Sequence, residues 1–345
     1  MVFLFNQLIT PKLKKILIIQ TASIGDVILS TGLAEKLHQY YPEATIHILV
    51  KKGMESLFSG HPFIKEVLVW DKKNNKYRNL FHLLQQIRHS KYDAVINVQR
   101  FLATGLLTGL SGARFRSGFD KNPLSFLFNP RIKHLIGEEA LCLHETERNQ
   151  RLIAAITDKQ ALPPRLYPEA KDFESVKAYK ATRYVCIAPA SLWNTKQFPA
   201  EKWIELIGKI PEDISIYLLG ASSDKDLCTR IINEANRGCV IDLSGKLTLL
   251  QSAALIKDAQ MNYVNDSAPL HLASATNASV TAVFCSTIPE FGFGPLSDNA
   301  TIIQTELKLA CRPCVIHGHT ECPEKHFKCA QTISTDSLLR TLHER

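Results

Sequence analysis

Residues 15–31, KILIIQTASIGDVILST, decide how this chain is read. Ile16–Ile19 is a short run of apolar, mostly branched side chains, the composition of a strand buried on both faces. Thr21, Ala22, Ser23 and Gly25 are small enough to turn the backbone. From Asp26 the chain continues as VILSTGLAEKLHQYY, with Val27, Leu33, Ala34, Leu37 and Tyr41 at roughly helical spacing. Strand, turn and helix in that order put Asp26 in the first helical turn, at the carboxyl end of a strand. Open α/β sheets keep their ligands there. Asp26 then has two readings: a helix-start carboxylate worth about 1 kcal/mol, or an acid presented to a ligand.

The same rhythm runs outward from this stretch. Thr45–Val50, Glu66–Trp70 and Asp93–Gln99 read as strands, with helices near Met54–Phe58, across Tyr77–His89 and at Phe101–Leu110. Arg114–Phe119 and Asn122–Asn129 read as loops lining a cleft, and Glu145–Thr157 as a helix. Alternating strands and helices imply a parallel sheet covered on both faces. ALPPRLYPEA at 161–170 holds three prolines in ten residues and reads as a linker. Beyond it the rhythm restarts. Strands are expected at Tyr184–Pro189, Ile214–Gly220, Val240–Leu243, Met261–Val264 and Val280–Cys285. Helices are expected at Ala200–Ile210, Asp224–Ala235, Leu249–Ala259, Pro269–Thr276 and Ser334–Glu344. The fold class is therefore α/β, with two Rossmann-like domains facing one cleft.

Composition bounds the function. A chain of 345 residues with 45% hydrophobic content can bury one or two cores. Its net charge of +8, with no run of five like charges, suits acidic partners such as a nucleotide, an anionic glycolipid or a membrane face. No nucleic-acid-binding motif is present, so no nucleic-acid partner is expected. In MVFLFNQLITPKLKK the charges follow the apolar part and no small-residue cleavage site appears, which makes a poor signal peptide. No window approaches the ~20 apolar residues of a membrane span, so the expected location is cytoplasmic. Of nine cysteines, Cys142, Cys186, Cys228, Cys239 and Cys285 are scattered, several of them in apolar runs, as buried thiols in a reducing compartment would be.

Neither GxGxxG after Ile16–Ile19 nor GxxxxGK[ST] is present, so fingerprint dinucleotide binding and P-loop chemistry are not supported. The segment ASLWNTKQFP, 190–199, follows a strand and offers small polar groups with a lysine. Lys196 would be a point charge on a diphosphate, with Ser191 and Thr195 as hydroxyl donors; otherwise the segment is a solvated loop. VNDSAPLHLA, 264–273, ends a strand at Asn265–Asp266 and starts a helix near Ser267–Pro269. The free N–H groups of that start can hold a phosphate, with His271 nearby. Alternatively, Asp266 is an N-cap and His271 a core histidine. Asp224 and Asp226 form a DxD that better suits a helix start than a metal, although a carboxylate past Gly220 could bind ribose hydroxyls. Cys311 and Cys314 form a CxxC followed by Cys322 and Cys329, zinc-like in ligand type but irregular in spacing, with His317, His319 and His326 close in sequence.

Taken together, TASIGDVILSTGL (21–33), NTKQFPAEKW (194–203) and the run from LSGKLTLLQ (243–251) to NDSAPLHLASATNASVTAVFCST (265–287) resemble glycosyltransferase family 9, the ADP-heptose:lipopolysaccharide heptosyltransferases. The C-terminal CRPC…C…C is similar to that of many members. The resemblance implies a GT-B fold. Residues 1–165 would form the acceptor-binding domain and 175–330 the nucleotide-sugar-binding domain, with 331–345 a last helix packing back on the first. It implies inverting transfer of a heptose to the lipopolysaccharide inner core, without metal or other cofactor. Asp26 matches the carboxylate taken as general base, with Ser23 and Gly25 on the acceptor side. Lys196 matches the lysine near the donor phosphates, and Asp266, Ser267 and His271 the segment at the donor nucleotide. Asp224 matches an acidic position near the ribose. Two departures stand out: Phe198 where the family usually has Trp, and Ala268 where it usually has Gly.

The expected partners are a nucleotide-sugar donor and a lipid-linked acidic glycan acceptor, with peripheral contact at the inner membrane face. The competing readings are transfer from another nucleotide sugar, a nucleotide-sugar epimerase or hydrolase, and a non-catalytic binder. A zinc-dependent interaction module built on the cysteines is a further one.

Overall fold

The computed structural model describes residues 12–135, 140 and 143–343. Cys142 and the apolar stretch before Pro11 lie outside them. The described residues fall into two compact units. The first holds those up to 135 together with Glu145–Pro164, and the second those at 140–144 together with Arg165 onward.

The first unit runs β1 (Lys15–Ile19), α1 (Ile24–Leu29), α2 (Thr31–Tyr40), β2 (Thr45–Lys51), β3 (Ile64–Trp70), α3 (Lys76–Ser90), β4 (Ala94–Asn97), α4 (Leu102–Gly109), β5 (Phe115–Phe119), β6 (Arg131–Ile132) and α5 (Glu145–Gln150). Its strands form one parallel sheet in the order β3-β2-β1-β4-β5-β6, with Ile16 level with Ile46 on one side and Ala94 on the other. Ile16–Ile19 are wholly buried, as the apolar run predicts. Leu83 and Ile87 of α3 and Leu107 of α4 pack with Leu17, Ile19, Leu68 and Val95, so both helices cover the same face of the sheet.

The second unit runs α6 (Ala170–Val176), β7 (Tyr184–Ala188), α7 (Ala200–Lys209), β8 (Ser215–Leu218), α8 (Lys225–Ala235), β9 (Val240–Asp242), α9 (Leu249–Lys257), β10 (Met261–Asn265), α10 (Ala268–Thr276), β11 (Val280–Phe284), β12 (Ala300–Gln304), α11 (Lys328–Gln331) and α12 (Thr335–His343). Its sheet is also parallel, ordered β12-β11-β10-β7-β8-β9. In each sheet the strand order reverses once, between β1 and β4 and between β7 and β10. Ligands of doubly wound sheets bind at that reversal, outside the carboxyl ends of the strands.

Two expectations change. Arg114–Phe119 is largely strand β5, not a loop; its polar residues disguise it. Ser117 is buried because its hydroxyl donates to Leu152 O (2.6 Å), and Arg116 spends its guanidinium on Leu127 O and Ala113 O. The helix expected over Glu145–Thr157 stops at Gln150 and continues as turns. The proline-rich linker passes directly into α6. Leu338 and Leu342 of α12 lie in the second unit's core with Trp203, Leu206 and Tyr263.

Candidate functional site

In the first unit, the turn after β1 carries the candidate acid. Ser23 is the N-cap of α1 and Asp26 its third residue, linked by a reciprocal capping box. The Ser23 N–H (3.1 Å) and hydroxyl (2.5 Å) both donate to Asp26 Oδ2. Oδ1 has no hydrogen-bond partner among the described residues. Capping and presentation are therefore compatible: one oxygen fixes the carboxylate and the other faces outward. Gly25 is buried beneath the turn.

Titratable groups that the sequence reading passed over lie along this edge of the sheet. Lys72, past the end of β3, donates to Thr21 O (2.8 Å) and Thr21 Oγ1 (3.0 Å). Burial, with Lys51 and Lys76 nearby, holds its ammonium below the usual lysine range. Glu145 opens α5 and is clasped by Arg148, whose Nε and Nη2 each lie 2.8 Å from Glu145 Oε2. Burial raises the Glu145 carboxyl; Arg148 opposes that rise and the neighbouring charge of Asp26 adds to it. His134 is depressed to about 4, first by burial and then by the positive field of Arg100, Arg148 and Lys121. The carboxyl edge of this sheet therefore joins one outward-facing carboxylate to several cations. It can take a proton from a hydroxyl while holding an acidic molecule.

In the second unit, the segments after β7 and β10 meet. Asn265 Oδ1 accepts the Phe198 N–H (2.8 Å) and Asn265 Nδ2 donates to Pro189 O (2.8 Å), which pins the 189–198 loop to the end of β10. Lys196 then reaches Asp266, with Nζ 2.6 Å from Oδ2, and the Thr287 hydroxyl donates to the same oxygen at 2.7 Å. Both charged side chains are largely buried. Ser267 is the extended N-cap of α10, with Ala268 and Pro269 in its first turn, so unpaired N–H groups open beside this pair. A cation, a helix start and hydroxyls gathered at one sheet edge are groups that can hold an anion.

The other expected residues divide. Thr195 is buried, and its hydroxyl oxygen accepts the His319 N–H (2.7 Å) and the Ser286 hydroxyl (3.1 Å). It braces the loop rather than facing outward. Ser191 lends its carbonyl to Gln197 (3.0 Å). His271 is buried on α10, edge-on to Phe293. Asp224 has both oxygens engaged locally, Oδ2 by the Ala221 N–H (2.7 Å) and Oδ1 by the Ser223 hydroxyl (3.1 Å), at the start of α8 beyond the neighbouring strand β8. It acts as a helix cap. Phe198, one of the two departures, is a core residue packed edge-on to Trp203.

The cysteine segment serves as a buttress. Cys314 N–H donates to Ser286 O (3.0 Å), and Arg312 donates to the carbonyls of Cys285 (2.7 Å) and Thr287 (2.7 Å) at the end of β11. Gly318, at φ +79°, lies so close that a Cβ there would meet Lys196 Cγ at 2.9 Å and Thr195 Oγ1 at 3.0 Å. Cys311, Cys314, Cys322 and Cys329 are free thiols, and burial with neighbouring thiols pushes Cys329 up to about 11. Among the described residues no group of three or more His, Cys, Asp or Glu is arranged to hold a metal ion.

The profile of glycosyltransferase family 9 (heptosyltransferase) matches residues 80–327. This chain belongs to glycosyltransferase family 9. It is 27% identical over 288 residues to lipopolysaccharide heptosyltransferase 3 of Escherichia coli, covering 80% of this chain and 84% of that protein. The solved E. coli ADP-heptose lps heptosyltransferase II superposes with a TM-score of 0.77 at 21% identity, over 95% of this chain and 97% of that one. E. coli heptosyltransferase WaaC with ADP gives 0.73 at 21% identity, over 96% and 99%. The fold is GT-B, and the chain is a glycosyltransferase of the heptosyltransferase family. No helix among the described residues is long and apolar enough to cross a membrane.

Within this family 9 chain, Lys72, Glu145, Arg148, Ser286, Thr287 and Arg312 are the site residues that sequence reasoning missed. For α5 a signal existed: ETERNQ has no apolar stripe, yet Thr146, Arg148, Asn149 and Gln150 are buried.

Proposed function

We propose that this glycosyltransferase moves a heptose from ADP-heptose to a sugar hydroxyl of the lipopolysaccharide core, with inversion and with Asp26 as general base. The observation that carries the reading is Asp26 itself: a carboxylate fixed through Oδ2, with Oδ1 open, at the strand-order reversal of the first sheet.

The second unit takes the donor. Its diphosphate lies at the start of α10 beside Lys196, and both stabilise the charge that grows on the leaving nucleoside diphosphate. The first unit takes the acceptor, an acidic lipid-linked glycan held by the cations around Lys72, Arg100 and Arg148. Asp26 Oδ1 receives the acceptor hydroxyl proton as that oxygen attacks the anomeric carbon and the bond to the diphosphate oxygen breaks on the opposite face. No metal or cofactor takes part in this proposal. The relative named as an ADP-heptose transferase and the relative solved with ADP support the choice of donor.

The test is calorimetric titration with ADP, UDP, GDP and CMP, with and without magnesium, followed by nucleotide release in the presence of a core acceptor. Preference for ADP regardless of magnesium, with release that depends on acceptor, is the expected result. Preference for another nucleotide would overturn the heptose donor and leave a glycosyltransferase. Release without acceptor would point to a hydrolase or epimerase, and binding without release to a non-catalytic binder.

A further inference from the structure

The first unit carries a surface that its core and crevice leave unused. On α3, Tyr77 and Phe81 lie four residues apart and are 79% and 59% exposed. They share their side of the helix with Arg88, which reaches α4 by donating from Nη1 to Leu110 O (2.9 Å). That side therefore faces α4. On α4, Leu102, Leu106 and Leu110 recur every four residues along the solvent side, with Leu102 53% and Leu110 41% exposed. The other flank of α4 is closed by a turn at Ser125–Leu127. This turn and Asn122 just before it pack so tightly that a Cβ on Gly105 would strike Asn122 at 2.2 Å and one on Gly109 would strike Leu127 at 2.6 Å. The turn presents Phe126, 69% exposed. The result is a set of exposed apolar side chains on two neighbouring helices and the turn beside them, of a kind that monomeric soluble proteins seldom leave bare when they adjoin.

Charge says what covers it. Residues 72–135 hold twelve Lys and Arg against two Asp, so this stretch alone carries more positive charge than the chain's net +8. Lys73, Lys76, Arg78, Arg88, Arg100 and Lys121 are exposed and form no ion pair among the described residues. Exposed aromatic and aliphatic side chains ringed by unpaired cations match an anionic bilayer, whose headgroups meet the cations while the apolar groups enter the acyl boundary. A second protein surface would need a concentrated acidic face to neutralise the same ring. The set also starts at the helix starts of α3 and α4, on the sheet edge that carries Asp26.

We propose that the outer face of α3 and α4, with Phe126 beside it, docks this protein on an anionic lipid surface. The purpose of that docking, presenting a lipid-linked acceptor hydroxyl at the Asp26 edge, rests on the function proposed above; the docking itself does not. Binding of the full chain to vesicles of phosphatidylethanolamine with phosphatidylglycerol is therefore read by flotation, without donor or acceptor. The protein should float with these vesicles, and much less with phosphatidylcholine vesicles or in high salt. Lys76→Glu with Arg78→Glu should weaken binding at least about tenfold, since each cation near such a surface is worth about fivefold. Tyr77→Ser with Phe81→Ser and Leu102→Ser should do so at least as strongly, with no change in melting temperature because all three side chains are exposed. Failure of the unaltered protein to float, or unchanged flotation of both variants, overturns the proposal. So does a dimer in sedimentation velocity that the apolar variant dissolves, which would make this face an interface between two copies of this chain.

Discussion

The two units build the same topological crevice and furnish it with opposite electrostatics. Each sheet reverses its strand order once, and each places an aspartate just past a strand end there, Asp26 in the first and Asp266 in the second. Asp266 is neutralised in place by Lys196 and the Thr287 hydroxyl, within a largely buried pair. Asp26 is tethered only through Oδ2, by its own N-cap serine, and its nearest anionic neighbour Glu145 is held by Arg148. The second crevice thus offers a cation and a helix start to an anion, whereas the first offers an unneutralised oxygen to a proton. Topology sets where a ligand can sit, and the partner of one carboxylate sets what happens there.

The comparison breaks first at Asp26. Asp26→Asn keeps the shape and much of the cap but removes the proton acceptor. Turnover should fall about a thousandfold, while ADP affinity in calorimetry stays within about twofold. A variant that keeps a tenth of the activity would end the division of labour between the crevices. Lys196→Ala acts on the other side. It leaves Asp266 buried with only a hydroxyl partner, a loss of about 3 kcal/mol or more in stability, and ADP binding should weaken strongly with it. Combining Lys196→Met with Asp266→Asn separates the two effects: thermal melting should recover and ADP binding should not. A variant with restored binding would show that the pair matters only for folding.

Gly318→Ala sharpens the view of the cysteine segment as a buttress. A side chain at φ +79°, pressed on Lys196 Cγ, costs about 1–2 kcal/mol and displaces the loop. ADP affinity should fall about tenfold with the acceptor KM unchanged. An acceptor effect without a donor effect would detach this segment from the second crevice.

How much of this was legible in the sequence follows from periodicity. Ile16–Ile19 and Tyr184–Ala188 are apolar runs bounded by turn residues, and such runs read as buried strands wherever they stand. The polar strand β5 did not read, because it hides Ser117 and Arg116 behind hydrogen bonds to distant carbonyls; α5 read as a helix, but not the set of polar side chains it buries. Lys196 and Asp266 were legible separately, as residues past strand ends. Their contact was not, because it depends on Asn265 pinning the loop that carries Lys196. For a related reason the bracing hydrogen bonds of Thr195 and Asp224 could not be read. A hydroxyl or carboxylate beside a site looks the same in sequence whether it faces a ligand or braces the backbone.

Acid should distinguish the units more mildly. His61 and His134, both in the first unit, are depressed to about 4 from the usual 6.5, chiefly by burial. A histidine whose folded pKa lies below its unfolded one stabilises fully above the unfolded value and loses that contribution as pH falls through the folded one. The first unit should therefore weaken between pH 6.5 and 4, with up to one proton taken up per histidine on unfolding. The raised Glu145 carboxyl opposes this trend, because its folded form binds a proton more tightly than its unfolded form. Hydrogen exchange across that range should show β1–β5 loosening before β7–β11, and His61→Gln should reduce the slope. Equal loosening of both sheets would assign the acid sensitivity elsewhere.

The smallest effect is expected at Ala268, where the chain departs from the family's usual glycine. Ala268 is the first residue of α10, following an extended N-cap at Ser267 with φ −157°. A glycine is required where the backbone takes positive φ, and Ala268 is not among the residues that do. The remaining question is space: its methyl stands beside N–H groups that would approach a phosphate. If the diphosphate binds through Lys196 and the outer N–H groups, Ala268→Gly should change ADP affinity by less than about threefold, a few tenths of a kcal/mol. A gain of tenfold or more would mean that the methyl holds the phosphate off the helix start. The second crevice would then be tuned for a donor other than the one its relatives are named for, even though its fold is shared with them.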